Sequence, residues 1–206
     1  MIITDPAAIE ARSMEIIESE LKTEITPENK AVVKRVIHAT TDFDYAENLA
    51  FSPHAVEKAL DALRRGCRIV TDTQMAKSGI NKAAAGKLGC EIDCFMSDPD
   101  VAEEAKARGC TRAQVSMEKA ARLGGPVIFV IGNAPTALLT LRTLIDGGKV
   151  KPDLVIGVPV GFVNILEAKE AILSSSVPHI VAKGRKGGSN VAAAIVNALM
   201  YEITRK

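Results

Sequence analysis

The chain has 206 residues, 47% hydrophobic and 25% charged, with 26 Lys and Arg against 25 Asp and Glu and a formal net charge of +1. This balance belongs to one globular domain whose core is built from Val, Ile, Leu and Ala, since aromatics are only 3% and Trp is absent. It excludes a general nucleic-acid binder, which needs surplus cations to neutralise a phosphate backbone.

The N-terminal "MIITDPAAIEARS" has neither the basic start nor the apolar run of a secretory signal, and no apolar stretch approaches the ~18 residues of a membrane span. A cytoplasmic protein without a membrane partner is expected. Cys67, Cys90, Cys94 and Cys110 form no CxxC pair, so reduced and mostly buried thiols are expected rather than a disulfide framework.

In chain order, "DPAAIEARSMEIIESEL" reads as a helix with Ile9, Ser13, Ile16 and Ile17 on one face. The Ser13 hydroxyl interrupts that stripe and needs a partner, either a carbonyl one turn earlier or a ligand. Thr26-Pro27 sets a cap hydroxyl before Pro at the first position of a second helix, which runs to Thr40 with Val33, Val36, Ile37 and Thr40 on one side. His38 falls in its last turn, directly before "ATTDFDYA". Ser52-Pro53 is a third helix start of the same kind, and Gly66 its stop. No strand is expected before residue 66.

Five β-type runs then alternate with helical patterns: "CRIVT" at Cys67 to Thr71, "CEIDCF" at Cys90 to Phe95, "VIFVI" at Val127 to Ile131, "LVIGV" at Leu154 to Val158 and "HIVA" at His179 to Ala182. Such alternation builds parallel βαβ units. Asp98-Pro99 and the capping-box pair Thr111 and Gln114 start helices, while Gly109 and Gly147-Gly148 end them. The economical reading is α/β, a doubly wound, mainly parallel five-stranded sheet in residues 66–206 behind a helical extension in 1–65.

Ligands of such sheets bind outside the carboxyl ends of the strands. The loops there are "TDTQM", "MSDPD", "GNAPTA", "PVGF" with Gly161, and "KGRKGGS". The last is the strongest signal for an anionic ligand: Arg185 and Lys186 supply charge, Gly187 and Gly188 permit close approach, and Ser189 opens a helix whose positive end faces the loop. It does not match GxxxxGK[ST], so it is not a Walker A loop. A purely structural role also suffices for "GNAPTAL".

For His38, neither HExxH nor HxH occurs and no GxSxG elbow exists, so metal-site and serine-triad readings find no support. Helix-end carbonyls and the nearby Asp42 and Asp44 suit it to giving or sharing a proton. A structural histidine remains equally open from these features alone.

"RVIHATTDFDYA", "IVTDTQMAKSGI", Thr111-Arg112, "VIFVIGNAPTAL", "LVIGVPVGFVNILEAKE" and "GRKGGSNVAAAIVNAL" stand in one order along the chain. With them the chain resembles the precorrin-8X and cobalt-precorrin-8 methylmutases of corrin biosynthesis. The resemblance implies a flavodoxin-like α/β/α sandwich and an isomerase that moves a methyl group from ring carbon 11 to ring carbon 12. The substrate implied is a corrinoid polycarboxylate, cobalt-precorrin-8 giving cobyrinate in preference to metal-free precorrin-8X giving hydrogenobyrinate. It implies no cofactor, a homodimer, His38 as the catalytic residue and Ser13 and Arg35 as substrate contacts, with Thr71 and Arg112 less directly carried over. Gly161, Arg185, Lys186, Gly187, Gly188 and Ser189 complete the expected rim. The rival readings are a non-catalytic corrinoid carrier and an enzyme acting on a phosphorylated small molecule through "GRKGGS".

Overall fold

The computed structural model describes residues 2–205. Helices α1 (Pro6–Glu20), α2 (Pro27–Thr40) and α3 (Tyr45–Asn48) lead into a short strand β1 (Leu49–Phe51) and helix α4 (Ala55–Arg64). Strand β2 (Arg68–Thr71) is followed by α5 (Gln74–Gly79) and α6 (Lys82–Lys87), and β3 (Glu91–Asp93) by a 3₁₀ turn, α7 (Pro99–Arg108) and α8 (Arg112–Leu123). Then β4 (Val127–Ile131), α9 (Pro135–Asp146), β5 (Leu154–Gly157), α10 (Ile165–Leu173), β6 (His179–Ala182) and α11 (Ser189–Thr204) alternate to the end.

The strands form one sheet in the order β1-β6-β5-β4-β2-β3. All neighbours are parallel except β1, which runs antiparallel to β6 with Leu49 opposite Ala182 and Phe51 opposite Ile180. Without β1 the order is that of flavodoxin-type sheets, with its switch point between β2 and β4. The sheet therefore has six strands, not five, and the sixth lies in the segment expected to be helical throughout. Three residues are too few to show an alternating pattern, and a short strand is a common way to close a sheet edge.

The same edge moves the start of α4. The Ser52 hydroxyl accepts the His179 N–H at 2.9 Å, so it extends the β1-β6 pairing and does not cap a helix. The chain turns through His54, at φ 59°, and α4 begins at Ala55. Thr111 caps α8 as expected, accepting from Gln114 N–H at 3.2 Å, but the Gln114 side chain turns to Glu118 instead of completing a capping box.

Strands β4 and β5 are buried along their whole length, because helices cover both faces. On one side lie α2, α4, α6 and α11, on the other α8, α9 and α10. Helix α11 is buried nearly all round, from Val191 to Met200, which suits an element enclosed between the sheet and α2. Cys67, Cys90 and Cys94 are buried free thiols and Cys110 is half-buried.

Candidate active site

The helix of His38 forms where its spacing placed it: α2 buries Val32, Val33, Val36 and Ile37 and ends at Thr41, which takes a left-handed conformation at φ 52°. His38 is half-buried in the last turn, and among the described residues its ring makes no hydrogen bond. Asp42 and Asp44, expected to face it, are instead bound by Lys186 Nζ, each at 2.6 Å. Those hydrogen bonds hold the Asp42 carboxyl below its ordinary range and push the Lys186 ammonium up. The acids thus tie the end of α2 to the Gly-rich loop before α11, leaving the His38 ring free for a ligand.

That loop is shaped by glycine where nothing else fits. A Cβ on Gly187 would stand 2.1 Å from the Val158 carbonyl oxygen, and Gly188 donates its N–H to that same oxygen at 2.9 Å. Gly161, at φ 147°, donates to Arg185 O at 3.2 Å, joining the "PVGF" loop to it. Ser189 shares a hydroxyl hydrogen bond with Thr73 at 2.8 Å, and Gly132 packs so closely on Ser189 that a Cβ would come within 2.8 Å of its Cα. Four strand ends are thereby fastened together. They line a cleft of about 500 Å³ with Thr73, Met75, Asn133 and Val160.

The rim has two characters. Arg185 is exposed and its guanidinium lies 5.6 Å from the Phe162 ring centroid. Met75, Val160, Phe162, Val163 and Leu166 are exposed apolar side chains on the neighbouring loops and the first turns of α5 and α10, Phe162 at 81%. An edge-charged, flat apolar ligand matches this combination better than a small phosphate ester does.

Two residues that sequence reasoning missed fix the loops from beneath. Asp72, 1% exposed, accepts the N–H groups of Gly132 and Asn133 at 2.8 Å each and of Ala134 at 2.6 Å. Burial pushes its carboxyl up, and those three bonds pull the other way. Successive N–H groups of this kind form an anion-binding concavity, and here the protein's own carboxylate fills it. The switch point is closed to a phosphate. Lys169, 2% exposed, donates to Gly184 O at 2.7 Å and Lys186 O at 2.8 Å. Its signal was legible: with Ile165, Ala168 and Ile172 it occupies the apolar stripe of α10.

The remaining expected contacts divide. Arg35 lies one turn before His38, bonded to Glu10 Oε1 at 2.6 Å, and Ser13 Oγ donates to the Ile9 carbonyl at 2.8 Å. Arg112 is exposed at the start of α8, in the opposite helical layer from His38. Thr71 does not reach the rim: it is fully buried and its hydroxyl donates to the Thr73 and Asp93 carbonyls, so Thr73 is the accessible hydroxyl of that loop. Among the described residues, no group of three or more His, Cys, Asp or Glu is placed to hold a metal ion, and no helix is long and apolar enough to cross a membrane.

A family model described as precorrin-8X methylmutase matches residues 8–202. The chain belongs to the precorrin-8X methylmutase family. A relative in this family from Salmonella typhimurium, named cobalt-precorrin-8 methylmutase, is 47% identical over 98% of this chain and 97% of its own. A relative of the same name from Priestia megaterium is 46% identical over 96% of this chain and 88% of its own. A crystal structure of precorrin-8x methyl mutase from Thermus thermophilus superposes with a TM-score of 0.87 at 41% identity, covering 94% of both chains. The methylmutase fold is therefore present along nearly the whole chain, with the loops described above at its strand ends.

Asp72→Asn leaves N–H groups without an anion to accept them and is expected to cost about 1–3 kcal/mol, read as a lower urea midpoint; an unchanged midpoint would show that Asp72 does not hold the loop. Burial lowers the Lys169 amine from its ordinary 10.5 to about 8. Between those values the unfolded chain binds more protons than the folded one, so this contribution to stability rises with pH across that window and is lost as pH falls through about 8. Lys169→Met should remove that rise from urea melts compared at the two ends of the window, and equal slopes in both proteins would contradict the assignment.

Proposed function

We propose that this chain is an isomerase of cobalamin biosynthesis that moves a methyl group from ring carbon 11 to ring carbon 12 of cobalt-precorrin-8, giving cobyrinate. The observation that carries this reading is a helix-end histidine with an uncommitted ring, tied by the Lys186 bridge to a rim that combines cations and exposed apolar side chains. Its substrate is a flat apolar macrocycle edged with carboxylates, so shape and charge agree.

The reaction takes nothing in and releases nothing: one carbon–carbon bond breaks and another forms within the macrocycle. The protein then has two tasks. The first is to fix the macrocycle's shape so that donor and acceptor carbons sit in the reactive geometry, which the fastened loops do at no further cost in order. The second is to draw electron density from the ring next to the migrating methyl group. His38 does this by giving a proton or hydrogen bond to that part of the ring. Arg35, Arg112, Arg185 and Lys186 hold the carboxylate arms, the Ser13 hydroxyl turning from the Ile9 carbonyl to join them, and the Phe162 and Val163 loop covers an apolar face. The protein acts as a homodimer.

The cobalt-containing substrate is favoured because the relatives at 46% and 47% identity carry that name. The metal belongs to the macrocycle and enters as part of the substrate.

His38→Ala is expected to bind the corrinoid with near-normal affinity and to lose at least about a hundredfold in turnover, the lower end of what a positioned acid supplies. Near-normal rearrangement by this variant would remove His38 from the chemistry. Parallel turnover assays with cobalt-loaded and metal-free precursor should favour the cobalt form in kcat/KM; preference for the metal-free form would reassign the substrate.

A further inference from the structure

Glu10 on α1, Arg35 on α2 and Arg205 just past α11 meet at a single carboxylate oxygen. Arg35 Nη2 donates to Glu10 Oε1 at 2.6 Å, and Arg205 Nη1 donates to the same oxygen at 2.9 Å. Both guanidinia also lie over the Tyr201 ring, at 5.2 Å for Arg35 and 3.5 Å for Arg205. That ring is fixed by its hydroxyl, which accepts from Asn81 Nδ2 at 3.0 Å. Two cations thus share one anion, and each guanidinium has further N–H donors in a fork that fits a carboxylate.

The cluster sits next to the candidate catalytic histidine: Arg35 and His38 are one helical turn apart on α2, as Glu10 and Ser13 are on α1. Two of its parts are half-buried, with the Arg35 side chain 20% and the Glu10 side chain 33% exposed, while Arg205 stands at the surface with its side chain 48% exposed. The hydrogen bond from Arg35 holds the Glu10 carboxyl below its ordinary range, so Glu10 is a charged partner there at neutral pH. Helix α1 is lightly held otherwise. Ile17 is its one buried residue, and its other tie to α2 is Glu18 with Lys30 and Lys34 at 2.5 and 3.0 Å. Partly exposed ion pairs of this kind exchange readily with a competing anion.

We propose that Arg35 and Arg205 form a carboxylate-binding subsite for which Glu10 is the built-in stand-in, displaced from both guanidinia by a carboxylate arm of the corrinoid. The proposal rests on the corrinoid reading above and adds Arg205 and Glu10 to it. Glu10 keeps the two like charges paired until the ligand arrives. Its displacement removes the tie of α1 to Arg205 and one of its two polar ties to α2, leaving Glu18 with Lys30 and Lys34 and the packing of Ile17, which makes the N-terminal half of α1 the part that yields as the macrocycle approaches His38.

The test is an absorbance titration of the intact protein at low salt with cobyrinate, and with its fully amidated, uncharged counterpart. Arg205→Leu should weaken cobyrinate binding by about tenfold or more, the size of a lost charge-assisted pair. Arg205→Lys, which keeps the charge and loses the fork, should recover part of it. Glu10→Gln should tighten cobyrinate binding several-fold, because the competing carboxylate is gone. All four proteins should bind the uncharged corrin equally. Cobyrinate affinities within about twofold of wild type for both Arg205→Leu and Glu10→Gln, or equal changes for the uncharged corrin, would overturn the subsite and leave the corrinoid reading standing. Failure of the wild-type protein to bind cobyrinate at all would remove both.

Discussion

The N–H groups of Gly132, Asn133 and Ala134 all end on the buried carboxylate of Asp72, and the rest of the site is arranged around that closure. In a sheet of this strand order the switch point between β2 and β4 is where an anion would be held. Here the fold spends that position on itself. What remains open is the cleft lined by Thr73, Met75, Asn133, Val160 and the loop after β6, with Arg185 and exposed apolar side chains at its edge. A large planar ligand is suited to such a place, and a compact phosphate is not.

The same loops are fastened from three directions. Lys169 holds the carbonyls of Gly184 and Lys186 from below, Lys186 reaches across to Asp42 and Asp44 at the end of α2, and Ser189 meets Thr73 from the end of β2. A ring of short polar contacts over a close-packed backbone orders the rim before any ligand binds. For a rearrangement in which nothing is added or removed, that prior order is a large part of what a protein can contribute. The one lightly held piece is α1, and it stands beside His38.

Much of this was legible in the sequence, for identifiable reasons. Pro27 and the apolar spacing on α2 set that helix, and "VIFVI" and "LVIGV" could only be enclosed strands. The glycines of "GRKGGS" were read as allowing close approach of an anionic ligand, and at Gly187 the close neighbour is the protein's own Val158 carbonyl. The partners were not legible. Asp42 and Asp44 looked like neighbours of His38 because they follow it in the chain, yet a lysine more than a hundred residues away claims both. Strand β1 was hidden by its length, and Ser52 was misread as a cap because its real acceptor role depends on β6. Thr71 was read as a rim contact, but the strand carries it into the core and leaves Thr73, two residues on, as the hydroxyl that reaches the loop. Long-range pairings of this sort leave no local pattern.

The role proposed for His38 and the ordered rim is to move a methyl group within a bound macrocycle. It is tested most directly with cobalt-precorrin-8 carrying a carbon-13 label in the ring-carbon-11 methyl group, incubated with the purified protein and followed by NMR. The labelled signal is expected to shift to that of a methyl group on ring carbon 12 as cobyrinate forms. A labelled signal that stays on ring carbon 11 while the corrinoid is bound would contradict that role.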